Sequence, residues 1–330
     1  MIAFVLAVIA FLETLASRLR RGPLRPGWSF LLECAVRFLR RGTARVEAWP
    51  PQRLRAAMEA RRPPQPMARR CERRAELVGG VDGEWFIPPG APADAALIYV
   101  HGGSFVAGSS RTYADAIARL ALAAGLATFA PNYRLAPEHP YPAGALDVLA
   151  VFRALVEGGT AAARIGLAGE SAGGNLALKV LLLLRDAGEA SPAATVITSG
   201  WFDMTGSLPS VQANERFDYG SRVLLRAQAG QASGGAALDD PAISLVHADL
   251  RGIAPILIQA GTAEMLLDES QLVYRHAVEA GVDARFEALV EMPHAATLLA
   301  EFAPEGARAV ESGARFIRDR VTPPTPARSV

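Results

Sequence analysis

Residues Arg164–Ala177 read RIGLAGESAGGNLA. A short apolar run, Arg164–Gly169, enters the motif Gly169-x-Ser171-x-Gly173, and an apolar stretch with helical spacing, Ala172–Ala187, leaves it. In a chain with 30 glycines the G-x-S-x-G pattern alone is a weak signal. Its context makes it specific. A strand-to-helix turn forces its central residue into strained backbone geometry, and the flanking residues must be small for strand and helix to pass. Such a turn holds the Ser171 hydroxyl at the C-terminal edge of a sheet, near the positive end of a helix, where a nucleophile belongs. The alternative is a plain helix N-cap in a glycine-rich turn.

Outward from this turn, short apolar runs alternate with amphipathic stretches. Ala96–His101, Ala127–Asn132, Ala194–Ser199, Pro255–Ala260 and Arg285–Val290 read as buried strands, like Arg164–Gly169. Tyr113–Ala124, Ala143–Val156 and Glu269–Ala280 have the spacing of helices, like Ala172–Ala187. Strand alternating with helix predicts a mostly parallel sheet covered on both faces, an α/β protein. Residues 202–245 interrupt the rhythm with scattered glycine and proline and a weakly helical middle, a natural place for a lid. Residues 1–75 read as helices with basic faces, Met1–Arg21, Trp28–Arg41 and Pro51–Arg61, the last broken by Pro63 and Pro64.

His101-Gly102-Gly103-Ser104 follows the first clear strand. A nucleophilic serine attacking a carbonyl needs hydrogen-bond donors held in advance where the oxyanion develops. Glycines let the backbone approach that point, so the N–H groups of Gly103, Ser104 and Ala172 are the candidate donors. His101 reads as structural, its ring bonded to the loop backbone. Of the five histidines, His276 lies inside a helical stretch and His139 in a turn, whereas His294 follows the last strand in a Met-Pro-His turn. The order nucleophile, acid, histidine along the chain makes His294 the candidate general base. Three carboxylates are candidates to orient it: Glu264, four residues after Pro255–Ala260; Asp268, four further on; and Asp203, after the preceding strand.

Four segments in the right order, His101–Gly108 (HGGSFVAG), Asn132–Pro142 (NYRLAPEHPYP), Gly169–Gly174 (GESAGG) and Glu264–Glu269 (EMLLDE), resemble the hormone-sensitive lipase family of carboxylesterases, particularly its bacterial members. The likeness spans about residues 80–320. It implies an α/β-hydrolase fold whose lid combines N-terminal helices with an insertion after the sixth strand, and it implies Glu264 as the acid. Two departures stand out: the family's third oxyanion-loop glycine is Ser104 here, and its usual aspartate is Glu264. The implied organisation is an N-terminal helical lid segment over 1–75 and a catalytic domain over 76–330, with a lid insertion at about 202–245. The implied reaction is hydrolysis of short- to medium-chain acyl esters through an acyl-enzyme, needing neither cofactor nor metal. An amide or formamide hydrolase is a second reading. A non-catalytic small-molecule receptor is a third, since plant gibberellin receptors resemble the family, but those lack the catalytic histidine.

With 330 residues and 51% apolar side chains, the chain can bury one large core, or a core plus a lid. It has no internal repeat, and Cys34 and Cys71 offer neither a disulfide framework nor metal-ligand spacing, as in a cytoplasmic protein with reduced thiols. The net charge of +1 hides an asymmetry: residues 1–75 carry 16 Arg against 5 Glu, net +11, leaving 18 basic against 28 acidic residues, net −10, for 76–330. No recognition helix, zinc spacing or aromatic interleaving accompanies the arginines, which argues against nucleic acid. Met1–Leu12 is wholly apolar, too short to span a membrane and without the basic residues that precede a secretory signal's apolar run. A helix packed in the lid and a membrane-surface anchor are the leading readings for it, with a signal or a true span as the remaining alternatives. The oligomeric state is open too, a homodimer included.

Overall fold

The structure is a computed structural model describing residues 2–61 and 65–321; Pro63 and Pro64 lie outside the described residues. Three helices come first, α1 (Ile2–Arg21), α2 (Phe30–Val46) and α3 (Pro51–Ala60). Two strands follow, β1 (Glu72–Val78) and β2 (Val81–Ile87). Then come β3 (Ala96–Val100), α4 (Ala114–Ala124), β4 (Ala127–Pro131), α5 (Ala143–Glu157), β5 (Ile165–Glu170), α6 (Ala172–Asp186) and β6 (Ala194–Thr198). The short helices α7 (Pro209–Ala213) and α8 (Arg222–Ser233) precede β7 (Ile256–Gly261), α9 (Leu267–Glu279), β8 (Ala284–Leu289) and α10 (Pro304–Val321).

The strands form one sheet in the order β1-β2-β4-β3-β5-β6-β7-β8. β1–β2 and β2–β4 are antiparallel, and every other pairing is parallel. Every residue of β3, β5, β6 and β7 is buried, which is why these strands are continuous apolar runs instead of alternating patterns. Helices α4 and α10 cover one face with a core that includes Leu97, Ile117 and Ile317; α5, α6 and α9 cover the other with Ile98, Val148, Leu178 and Val273. Each fully buried aliphatic side chain of this kind contributes about 1.5–3 kcal/mol.

The six strands expected from apolar runs are present, with ends shifted by a residue or so. The sequence reading missed two. β1, ERRAELV, is exposed at every position but Val78, and its charged side chains suit the edge of a sheet. Because β1 starts at Glu72, the sheet begins a few residues before the expected boundary at 75/76. With β1 and β2 counted, the strand preceding the excursion at 202–245 is the sixth, β6.

The N-terminal segment divides in two. α1 packs against α2, pinned by Arg18–Glu33 (2.8 Å), by the Arg41–Glu13 ion pair and by Phe11 set edge-on to Phe30. α2 and α3 are tied to the body. Arg40 donates to Arg216 O (2.7 Å) and Arg55 to Val106 O (2.6 Å), while the Trp28 indole donates to Glu291 O (2.6 Å).

Candidate active site

Ser171 joins β5 to α6 with φ 54° and ψ −120°, a conformation that costs a non-glycine residue about 1–3 kcal/mol. It persists because four hydrogen bonds over-determine it: Ser171 N donates to Thr198 O (3.0 Å), and Ser171 O accepts from Gly174 N (3.0 Å), Trp201 N (3.1 Å) and Asn175 N (3.3 Å). The flanking glycines are required by contact. A Cβ on Gly169 would strike the Gly173 carbonyl, and one on Gly173 the carbonyls of Val100 and His101. The six non-glycine residues with positive φ among the described residues, Ser104, Phe105, Ser171, Ser199, Glu291 and Ala295, all sit in turns just beyond the C-terminal ends of β3, β5, β6 and β8. The backbone strain is gathered on one edge of the sheet.

The turn after β3 brings Gly103 (φ 113°) and Ser104 (φ 56°) beside this serine. Neither N–H has an acceptor among the described residues. Ala172 N opens α6, where no preceding turn supplies a carbonyl. Ser104, the departure from glycine, occupies a left-handed backbone position, which explains why glycine suits that place. His101 behaves as expected: its ring stacks between Tyr133 and Tyr113 at 4.3 and 5.6 Å, and Nδ1 lies 2.7 Å from Gly102 O. Burial lowers its pKa to about 4, so it stays neutral.

His294, in the turn after β8, places Nε2 3.0 Å from Ser171 Oγ. Burial pulls its pKa below 6.5, and nearby Asp218 acts the other way. Its Nδ1 is buried without a hydrogen-bond partner among the described residues, and so is Glu264 Oε1. The other oxygen, Glu264 Oε2, accepts from Ser199 Oγ (2.6 Å) and Gly261 N (3.1 Å). Ser199 Oγ in turn accepts from Ala295 N (3.0 Å), so one hydroxyl links Glu264 to the residue next to His294. Burial pushes the Glu264 carboxyl well above the ordinary carboxylate range, opposed by these two donors.

The structure thus brings Ser171 and His294 into hydrogen-bond contact, but makes no hydrogen bond between His294 and Glu264. The other two candidate acids are engaged elsewhere. Asp203 accepts from Thr205 and Ser207 in its own turn, and Asp268, at the start of α9, accepts from Ser210 N of α7 (2.8 Å). One carboxylate escaped the sequence reading. Asp218 accepts from the backbone N–H groups of Tyr219 (2.8 Å), Met265 (2.8 Å) and His294 (3.2 Å), clasping three loops together. Nothing in the surrounding run, ERFDYGS, marks it, because its partners are all main chain. Glu170 is a second carboxylate outside the sequence candidates. It is buried beside Ser171, holds Thr297 Oγ1 at 3.1 Å, and burial raises its pKa to about 8.

These groups open into a cleft whose empty volume, mouth included, is ≈ 1030 Å³. Its apolar wall includes Val46 of α2, Leu54 and Met58 of α3, Leu224 and Leu225 of α8, and Leu298. No described residue of α1 is part of the lining. Among the described residues no cluster of His, Cys, Asp and Glu has the makings of a metal site.

A parallel sheet with a strained serine at the C-terminal end of a central strand, and a histidine within hydrogen-bond reach of it, defines an α/β-hydrolase; residues 97–298 match the α/β-hydrolase-fold family model. The chain is 38% identical to an acetyl-hydrolase from Streptomyces hygroscopicus, over 73% of this chain and 81% of that one. It is 32% identical to an esterase from Acinetobacter venetianus, over 72% and 79%. Among solved structures, an esterase from the bacterial hormone-sensitive lipase family superposes with a TM-score of 0.76 at 31% identity, covering 94% of this chain and 98% of that one. The chain belongs to the hormone-sensitive lipase family of α/β-hydrolases and is a carboxylic ester hydrolase.

Proposed function

We propose that Ser171, His294 and Glu264 form the catalytic triad of a carboxylesterase acting on small esters with short- to medium-chain acyl groups. The observation that carries this reading is the 3.0 Å contact between His294 Nε2 and Ser171 Oγ at the floor of an apolar cleft. His294, neutral at pH 7, takes the Ser171 proton as Oγ attacks the acyl carbon, then passes it to the leaving alkoxide. A water deprotonated by His294 attacks the acyl-enzyme, and Ser171 Oγ leaves with the returned proton. The N–H groups of Gly103, Ser104 and Ala172 receive the oxyanion at both tetrahedral stages. No step calls for a cofactor or metal.

Glu264 is the acid in this reading, as the family resemblance implies, and its free oxygen supports the choice. Asp218 already has both carboxylate oxygens on backbone donors, whereas Glu264 keeps one buried oxygen free and His294 one buried ring nitrogen. The imidazolium formed during attack favours an ionised carboxyl at Glu264, against the upward push of burial. The N-terminal segment before β1 and residues 202–245 serve as the lid in this reading, supported by the lining residues contributed by α2, α3 and α8. Within that lid α2 and α3, not α1, face the acyl chain. A p-nitrophenyl ester series from two to sixteen acyl carbons tests the substrate class. The expected outcome is highest kcat/KM between about two and eight carbons, the range that the resemblance to the family implies. Preference for emulsified long-chain triglycerides would overturn it.

A further inference from the structure

α1 is two-faced in an unusual sense. Its inner face is small and closed, with Ala10 and Thr14 buried against the protein. Its outer face is apolar and open: Phe4, Val5, Val8, Phe11, Leu12, Leu15 and Leu19 are all exposed, Leu19 at 80% and Phe4 at 73%, with Phe11 at the margin also touching Phe30. At helical spacing these seven fall within one arc of about 120°. Exposed apolar side chains scattered singly need no explanation, but a continuous stripe along a 20-residue helix does. Leu31, at the start of α2, is exposed as well.

We infer that this face of α1 docks on an anionic phospholipid surface. The charge on and behind the stripe selects that occupant. Arg20 and Arg21, exposed in the last turn of α1, have no ion-pair partner among the described residues, unlike Arg18 and Arg41, which are paired to Glu33 and Glu13. The segment that carries the helix has a net charge of +11, against −10 for the rest of the chain. A second copy of the chain would cover the apolar stripe but bring two segments of +11 together. An anionic bilayer surface receives the stripe into its acyl boundary and the arginines among its headgroups, each nearby arginine adding about a further fivefold in affinity.

The helix lies on the surface and does not cross it. No described helix is long and apolar enough to span a membrane, and the inner face of α1 is held to α2 by the Arg18 and Arg41 ion pairs. The geometry also serves the esterase. α2 packs against α1 and lines the cleft with Thr43 and Val46 near its C-terminal end, so a docked α1 keeps the cleft wall close to the lipid phase, where apolar esters collect.

Sedimentation with vesicles tests this on the full chain. Vesicles of phosphatidylcholine containing about a quarter phosphatidylglycerol should bind the protein at least about tenfold more tightly than phosphatidylcholine alone. Leu12→Glu with Leu19→Glu, both at exposed positions, should cut that binding by more than about tenfold. Arg20→Glu with Arg21→Glu should weaken binding to anionic vesicles and flatten its salt dependence. Circular dichroism and turnover of a soluble short-chain ester should match the wild type in both double variants. Failure of the wild type to sediment with anionic vesicles would overturn the inference, as would binding equal to the wild type's in both double variants. So would a solution dimer that dissociates in the Leu12→Glu/Leu19→Glu protein without any vesicle binding. Each result is independent of ester hydrolysis, which is read in solution.

Discussion

The turn around Ser171 and the helix α1 both carry a strong apolar sequence signal, yet the first could be read down to the contacts that shape it and the second could not. At Ser171 the constraint is internal. Gly169 and Gly173 are small because the carbonyls of Gly173, Val100 and His101 leave no room for a Cβ, so the pattern in the chain is the imprint of a contact within the same chain. At α1 the apolar residues face outward. A run such as IAFVLAVIAFL records only that water is disfavoured on one side, not what replaces it. Pattern identifies a partner when both sides of the contact are written in one sequence.

The sharpest break between the two regions is expected at the serine. Ser171→Ala should reduce turnover of a soluble ester by about 10³-fold or more, leaving the residual rate supplied by the oxyanion donors and binding, while vesicle binding stays at the wild-type level. Steady-state kinetics with a folded variant checks the first half, and near-normal turnover would remove the proposed mechanism altogether.

Next in size is the acid. Glu264→Gln should lower kcat by about 10²-fold or more, because the imidazole loses the charge that orients it. Asp268→Asn and Asp203→Asn should cost far less. Asp218→Asn is the informative control. A carboxylate that clasps three loops should lose stability along with activity, so its melting temperature should fall where that of Glu264→Gln holds. If Asp218→Asn is the slower enzyme at unchanged stability, Asp218 and not Glu264 is the acid.

Smaller still is the effect on chain-length preference, which separates the two halves of the N-terminal segment. Met58→Trp narrows the cleft and should lower the ratio of eight-carbon to two-carbon ester kcat/KM by roughly tenfold. Leu12→Glu with Leu19→Glu should leave that ratio unchanged within about twofold, since no described residue of α1 lines the cleft. A changed ratio in the α1 variant would return that helix to the acyl pocket.

The smallest expected effect is a displacement along the pH axis. Only neutral His294 accepts the Ser171 proton, so activity rises as pH climbs through its folded pKa. Burial lowers that pKa from 6.5, which places the midpoint of the acid limb of kcat/KM below 6.5. A pH–rate profile with a soluble ester measures it, and a midpoint above 6.5 would mean that Asp218 outweighs burial.

Much of the fold was legible, for reasons visible in individual residues. β3, β5, β6 and β7 are buried on both faces and therefore spelled as unbroken apolar runs. β1 was not legible, because an exposed edge strand is written in arginine and glutamate like any solvated loop. In the candidate site, the positions of Ser171, His294 and the loop of Gly103 and Ser104 at one edge of the sheet were legible because they follow strand ends. Asp218 and Ser199 were missed. Asp218 acts on backbone N–H groups, and Ser199 Oγ bridges Glu264 to another such group, so neither chooses its partner by side-chain type.

The close approach of α6 to the sheet has a consequence for how such a protein changes over generations. The position of the Ser171 hydroxyl is dictated by main-chain contacts at Gly169 and Gly173, whereas the cleft wall is built from side chains of α2, α3 and α8 that are anchored elsewhere. In the proposed mechanism, drift in Val46, Met58 or Leu225 would alter which ester fits without tilting the serine, and drift at either glycine would disable every ester at once. Reactivity and selectivity are therefore inherited on separate stretches of chain, so new substrates can be explored by lineages that never lose the chemistry.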